Sequence, residues 1–148
     1  MTTEPEPRTV LVGVEGHSGS RTAIKMAAQE ARYRAARLIA VMAYSGDRAV
    51  APAGRQSATL YSEGEERLVA ESALRDAVID ALGDEADKVE LRTVLGLAGR
   101  NLVETARRVN AQLIVLAGRG STSMLLGTVS QYVLRKAPCP VLVVPEAG

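Results

Sequence analysis

The chain reads as a three-layer α/β fold, an open parallel five-stranded sheet with helices on both faces. Two observations predict it: five short apolar runs separated by helical patterns, and a core vocabulary of small branched residues with no Trp or Phe. Val, Leu, Ile and Ala suit a sheet sandwiched between Ala-faced helices, where close approach matters more than bulk. The 148 residues match one domain, 1–148, of which 1–8 are expected to form a disordered tail.

The first run, Val10 to Val14, opens the pattern, and a helical stripe follows: Ile24, Ala27, Ala28, Ala31 and Ala35, with Ser20 as its N-cap. Leu38 to Tyr44 is the second run. A polar stretch from Ser45 to Ser57, holding Gly46, Pro52 and Gly54, separates it from the next helix and reads as a solvated loop or a lid. That helix carries Ala70, Ala73, Leu74, Ala77, Val78, Ala81 and Leu82, closed by Gly83. The charge run Glu63 to Arg67 reads as its solvated start.

Val89 to Val94 is the third run and the one that alternates, which places it at a sheet edge. The other four are near-continuous, the pattern of strands covered on both faces. Leu102, Ala106 and Val109 make a third helix, and Leu113 to Leu116 a fourth strand. Val133, Leu134 and Ala137 make the last helix, ended by Pro138, and Val141 to Val144 is the fifth strand. Alternation of this kind means parallel strands joined by right-handed crossovers.

Composition then narrows the function. With 18 basic and 17 acidic residues the formal charge is +1, which makes no global case for nucleic acid or an anionic membrane. One Cys and one His assemble neither a disulfide nor a metal cluster. The polar N-terminus lacks the apolar core of a signal peptide, and no run approaches the ~20 residues of a membrane span, so a cytoplasmic protein is expected.

In an open parallel sheet, ligands collect where the strand order reverses, here at the loops after the first and fourth strands. Both are rich in Gly and hydroxyl residues: Gly13 to Ser20, and Ala117 to Ser123 running on to Gly127, Thr128 and Ser130. Glycines let the backbone approach a phosphate, and free N–H groups at a helix start attract negative charge. The pattern fits an anion-binding loop or an ordinary strand-to-helix turn. There is no G-x-x-x-x-G-K-[ST], and the first loop is not G-x-G-x-x-G, so neither a Walker loop nor a dinucleotide fingerprint is present.

These stretches resemble the universal stress protein (UspA-like) family over nearly the whole chain. The opening Val10-Leu-Val-Gly-Val-Glu-Gly-His-Ser-Gly-Ser20 is similar to the family's strand and Asp-Gly-Ser loop. Leu113-Ile-Val-Leu-Ala-Gly-Arg-Gly120, Gly127-Thr-Val-Ser-Gln131 and Ala137-Pro-Cys-Pro-Val-Leu-Val-Val-Pro145 carry the most specific likeness. The resemblance implies an adenine-nucleotide alpha-hydrolase-like sheet of strand order 3-2-1-4-5 that binds ATP or another adenine nucleotide. It maps ligand contacts onto Gly13, Glu15, Ala43, Ala117, Arg119, Gly120, Gly127, Thr128 and Ser130. Gly120 matches the second glycine of the phosphate loop G-x2-G-x9-G-[ST], Gly127 and Thr128 its closing pair, and Ala43 the position whose main chain meets adenine. Three departures stand out: Ala117 replaces the first glycine, Glu15 replaces an Asp, and only six residues separate Gly120 from Gly127. The shortened loop points to an AMP-sized ligand.

Of the single residues, His17 reads as a solvated loop histidine or a phosphate or ribose contact, Arg119 as an anion partner or surface charge, and Cys139 as a buried small hydrophobe. No catalytic residue and no metal ligand is assigned. By resemblance the chain is a stress-response regulatory module that binds a nucleotide without efficient turnover. The alternative is a nucleotide-independent UspA-type interaction protein. Enzymes on the same layered fold carry His-x-Gly-His or Ser-Gly-Gly signatures that are missing here. The resemblance also implies a homodimer through Val141 to Val144, in line with the hazard of an uncovered apolar edge.

Overall fold

The computed structural model describes residues 7–15, 19–45, 63–118 and 127–145. Five strands, β1 (Thr9–Gly13), β2 (Arg37–Tyr44), β3 (Val89–Leu95), β4 (Leu113–Ala117) and β5 (Val141–Val144), form one sheet of order β3-β2-β1-β4-β5 with every neighbouring pair parallel. Four helices connect them: α1 (Gly19–Tyr33), α2 (Glu63–Leu82), α3 (Ala98–Val109) and α4 (Thr128–Lys136). A 3₁₀ segment, Gly83–Lys88, leads from α2 into β3.

The continuous apolar runs are explained by burial on both faces. Along β1, Val10 and Val12 pack under α1 and α2, while Leu11 packs under α3 and α4. On the first face Ile24, Ala27, Leu74 and Val78 meet Leu38 and Ala40. On the second, Leu102, Val103, Ala106 and Val133 meet Ile39, Val41, Ile114 and Leu116. Fully burying each such Leu, Ile or Val contributes roughly 1.5–3 kcal/mol, so these two layers supply the driving force for folding. The alternating run does lie at an edge: β3 pairs only with β2, and Leu91 and Leu95 stay exposed.

Several local expectations need correction. Arg8 belongs to the ordered edge, because its carbonyl accepts the Arg37 N–H at 2.9 Å. Ser20 lies inside the first turn of α1, since the helix begins at Gly19. Ala35 stands beyond the last turn, with φ of +50°. There the Ala36 N–H reaches back to the Ala31 carbonyl at 2.8 Å and the Ala35 N–H to that of Arg32 at 3.2 Å, a left-handed cap normally given to glycine. Ala137 follows α4, while Ala73 and Leu134 face solvent because their helices present only one stripe to the sheet.

Glu66 departs furthest from expectation. Glu65 and Arg67 are solvated, but Glu66 is buried among them and its Oε1 has no hydrogen-bond partner among the described residues. The lone thiol of Cys139 is half-buried rather than buried, packed beside the α3–α4 layer. The Ser45–Ser57 loop beyond Ser45 lies outside the described residues.

Candidate functional site

The strand order reverses between β1 and β4, each of whose following helices packs on a different face of the sheet. At that point the carboxyl ends of β1, β2 and β4 enclose a cleft of about 410 Å³, part of it open to solvent. Its floor is Gly13, Leu116 and Val41; Ala43 and Ala117 rise from the strand ends, and Glu15 stands at the mouth. Ala98 and Leu102 of α3 form one wall, Val129 and Ser130 of α4 another.

Gly13 sits here for a steric reason. A Cβ on it would lie 2.9 Å from Leu102 Cδ1 and 2.9 Å from Leu116 Cδ2, closer than real Cβ contacts allow. Beyond it the chain stays tied to the sheet, with the Val14 N–H donating to the Val41 carbonyl at 2.8 Å. The buried Ser20 then fixes the turn: its hydroxyl donates to the Glu15 carbonyl at 2.7 Å and accepts the Glu15 N–H at 3.1 Å. Both main-chain polar groups of Glu15 are thereby spent on loop geometry, which holds its side chain at the mouth.

The opposite wall is built by the turn after β3. Gly96, at φ +115°, reverses the chain there, and Asn101 Nδ2 donates to the carbonyls of Leu95 and Leu97, both at 3.0 Å. That pins the start of α3, so Ala98 faces the cleft. Below it, α3 and α4 approach closely because Gly99 has no side chain; a Cβ there would meet the Tyr132 ring at 3.1 Å.

Gly127 precedes α4 in extended geometry, and the first intrahelical bond runs from the Gln131 N–H to the Gly127 carbonyl at 3.0 Å. The amides of Thr128, Val129 and Ser130 therefore form an open helix start, with no side-chain cap and no acidic residue in the first turn. The helix dipole adds partial positive charge at this end. Glu15 supplies the opposite sign across the cleft, so one end suits hydroxyl or amine donors and the other an anion.

Of the residues predicted from sequence, Gly13, Glu15, Ala43, Ala117 and Ser130 come together around the cleft, and Gly127 heads the helix that walls it. Thr128 is exposed and opens onto a neighbouring groove instead. Arg119, Gly120 and His17 lie outside the described residues. The sequence reading missed Val41, Ala98, Leu102, Leu116 and Val129, apolar residues that carry shape and no chemistry. Gly96 directly after the alternating strand was the available signal that a third loop reaches the site.

Among the described residues, no group of three His, Cys, Asp or Glu could hold a metal, and no helix is long and apolar enough to cross a membrane. Desolvation pushes the Cys139 thiol above its ordinary value, so it is a poor nucleophile.

A parallel sheet with a cleft at its switch point, walled by an open helix start, defines a doubly wound α/β domain with a candidate ligand site. The chain belongs to the universal stress protein family, whose sequence profile matches residues 6–145. A universal stress protein of Mycobacterium tuberculosis is 34% identical over 148 residues, covering 97% of this chain and 48% of that protein. The chain thus spans about half the length of this relative. A universal stress protein solved in complex with cAMP is 30% identical, with a TM-score of 0.66 over 97% of this chain and 100% of the other. UspA from Lactobacillus plantarum, at 23% identity, shares the fold with a TM-score of 0.72 over 95% and 99% of the two chains.

Proposed function

We propose that this chain is a stress-linked regulatory module that binds an adenine nucleotide, ATP or an AMP-sized ligand, without efficient turnover. The observation that carries the reading is the cleft itself, where Gly13, Glu15, Ala43, Ala117 and Ser130 surround one space. Its lining brings one carboxylate and one helix start to the same space, and the relative solved with cAMP supports the ligand class. In this reading adenine lies over Gly13 beside the main chain of Ala43, and Glu15 accepts hydrogen bonds from the ribose hydroxyls. The phosphate meets the amides of Thr128, Val129 and Ser130 and the Ser130 hydroxyl. Gly127 opens that helix, and the family resemblance assigns Arg119 and Gly120 to the phosphate loop.

Calorimetry with ATP, ADP, AMP and cyclic AMP tests the proposal directly. Heat of binding with at least one of them is expected, and silence at millimolar ligand refutes it. Steady phosphate release above a buffer control would refute the non-enzymatic part.

A second reading, a nucleotide-independent homodimeric interaction protein of the UspA type, rests on the shortened spacing of Gly120 and Gly127 together with the outer edge of β5. That strand pairs on one side only and reads Val-Leu-Val-Val, an edge that invites a second copy. Both readings include a cytoplasmic homodimer through Val141–Val144. Light scattering at micromolar concentration checks it, and a monomer mass counts against it. Nucleotide binding to a pure dimer would favour the first reading over the second.

A further inference from the structure

We propose that the cleft continues into a second subsite, and that the full site takes a dinucleoside polyphosphate, two nucleosides joined 5′ to 5′ through phosphates. The inference rests on the nucleotide reading of the cleft and extends it. Beyond the cleft, across Ala98 and Val129, lies a groove of about 740 Å³, wider than the cleft and largely apolar. The two spaces share those two residues as a lip.

The groove has the parts that a second base and its phosphates need. Tyr132 contributes a half-buried aromatic ring that is held from behind by the close approach of Gly99. No described residue accepts a hydrogen bond from its hydroxyl, so the packing fixes the ring alone and leaves the polar end uncommitted. Leu97, 76% exposed at the head of α3, offers an apolar flank opposite the ring. A nucleobase between an aromatic face and a leucine is a sequence-tolerant stacking platform.

The lip between the two spaces is formed by first-turn residues of two helices, Ala98 of α3 and Val129 of α4. The amides of Ala98, Gly99 and Arg100 begin α3, and those of Thr128, Val129 and Ser130 begin α4. Neither first turn holds an acidic residue. Arg100 adds a guanidinium on the groove side, only loosely engaged by Glu104 at 3.5 Å on the surface. Thr128, which lines the groove and not the cleft, adds a hydroxyl donor for a bridging phosphate. A mononucleotide would use the cleft and the lip, and would leave the Tyr132 platform empty. A ligand with a nucleoside at both ends of its phosphate bridge would use all three.

Calorimetry on the full chain with AMP, ATP and diadenosine tetraphosphate tests this. Stacking of one further base predicts that diadenosine tetraphosphate binds about tenfold tighter than ATP. Tyr132→Leu removes the flat ring and should collapse that ratio to about one, while Tyr132→Phe keeps it. Because Tyr132 packs on Gly99, a second variant guards against misfolding: Leu97→Asp, at an exposed helix-cap position, puts a charge where the apolar flank of the second base lies and should also collapse the ratio. Equal affinity for ATP and the dinucleotide in the wild type overturns the second subsite and leaves the nucleotide reading standing. A preference that survives both Tyr132→Leu and Leu97→Asp overturns it too. No heat with any of the three ligands removes the nucleotide reading, and the subsite falls with it.

Discussion

Gly13→Ala is the sharpest test of how the site is built. The added Cβ would sit 2.9 Å from both Leu102 Cδ1 and Leu116 Cδ2, at least half an ångström inside ordinary contact. Both leucines are side-chain tips and can in principle turn. Yet Leu102 and Leu116 are only 3% and 4% exposed and are hemmed in by Val41, Val103 and Val133 in the same layer. Overpacking of this kind costs about 1–3 kcal/mol. Against it stands a gain of roughly 0.5–1 kcal/mol, because alanine loses less backbone freedom than glycine on folding. The net centres on a loss of about 1 kcal/mol, which for a chain of this size lowers the melting temperature by roughly 2–4 °C.

The steric cause separates from a general intolerance by a double-mutant cycle with Leu102→Val, which shortens one of the two clashing side chains. On its own Leu102→Val costs about 1 kcal/mol as a small cavity; combined with Gly13→Ala it should restore part of the loss, a coupling of at least 0.5 kcal/mol or so. Urea denaturation of the four proteins reads both quantities. The reasoning is refuted if Gly13→Ala proves neutral or stabilising, or if the two substitutions simply add. The same variant thickens the cleft floor, so nucleotide affinity should fall with it.

Three further outcomes follow from single positions. Ala35→Gly places the residue that left-handed backbone favours at φ +50° and should stabilise the fold by about 0.5–1 kcal/mol, seen as a higher urea midpoint with unchanged slope. Glu66→Met removes a buried carboxylate oxygen that has no partner among the described residues and should raise stability by about 1–2 kcal/mol at pH 7; a lower midpoint would show that Glu66 is in fact satisfied in solution. Burial raises the Cys139 thiol above 9.0, so the folded state keeps that proton where the unfolded chain has lost it. The group's contribution is therefore complete below pH 9.0 and declines as pH climbs past it. Urea midpoints taken upward from pH 9.0 should fall more steeply for the wild type than for Cys139→Ala.

The sheet was legible in the residues because burial on both faces leaves its mark at every position of a strand. Val10, Leu11 and Val12 face alternate layers, and all are fully buried, so the run shows no gaps. The edge was legible for the converse reason: β3 lacks an outer neighbour and carries Glu90 and Arg92 among its apolar residues. Helix ends were less legible. Ala35 is a strong helix former by composition, and only the tertiary path of the chain toward β2 forces it into the left-handed region. Glu66 misleads in the same way, since its neighbours Glu65 and Arg67 are solvated and nothing local marks the buried face of that turn.

The site divides along a similar line. Residues that bear chemistry or allow close approach (Gly13, Glu15, Ser130) are conspicuous in a sequence, whereas a wall made of Ala98, Leu102 and Val129 is not. That wall comes from the third loop, and its position depends on contacts distant in sequence: Asn101 holding the Leu95 and Leu97 carbonyls, and Gly99 admitting Tyr132. Because the close approach of α3 and α4 includes the Gly99–Tyr132 contact between the two spaces, the cleft width and the neighbouring groove width are not independent. Any substitution that wedges the two helices apart at Gly99 must change both spaces at once. A site-directed probe of the groove therefore has to act on side chains that line it without bearing on that contact, and the exposed Leu97 is one residue that meets this condition.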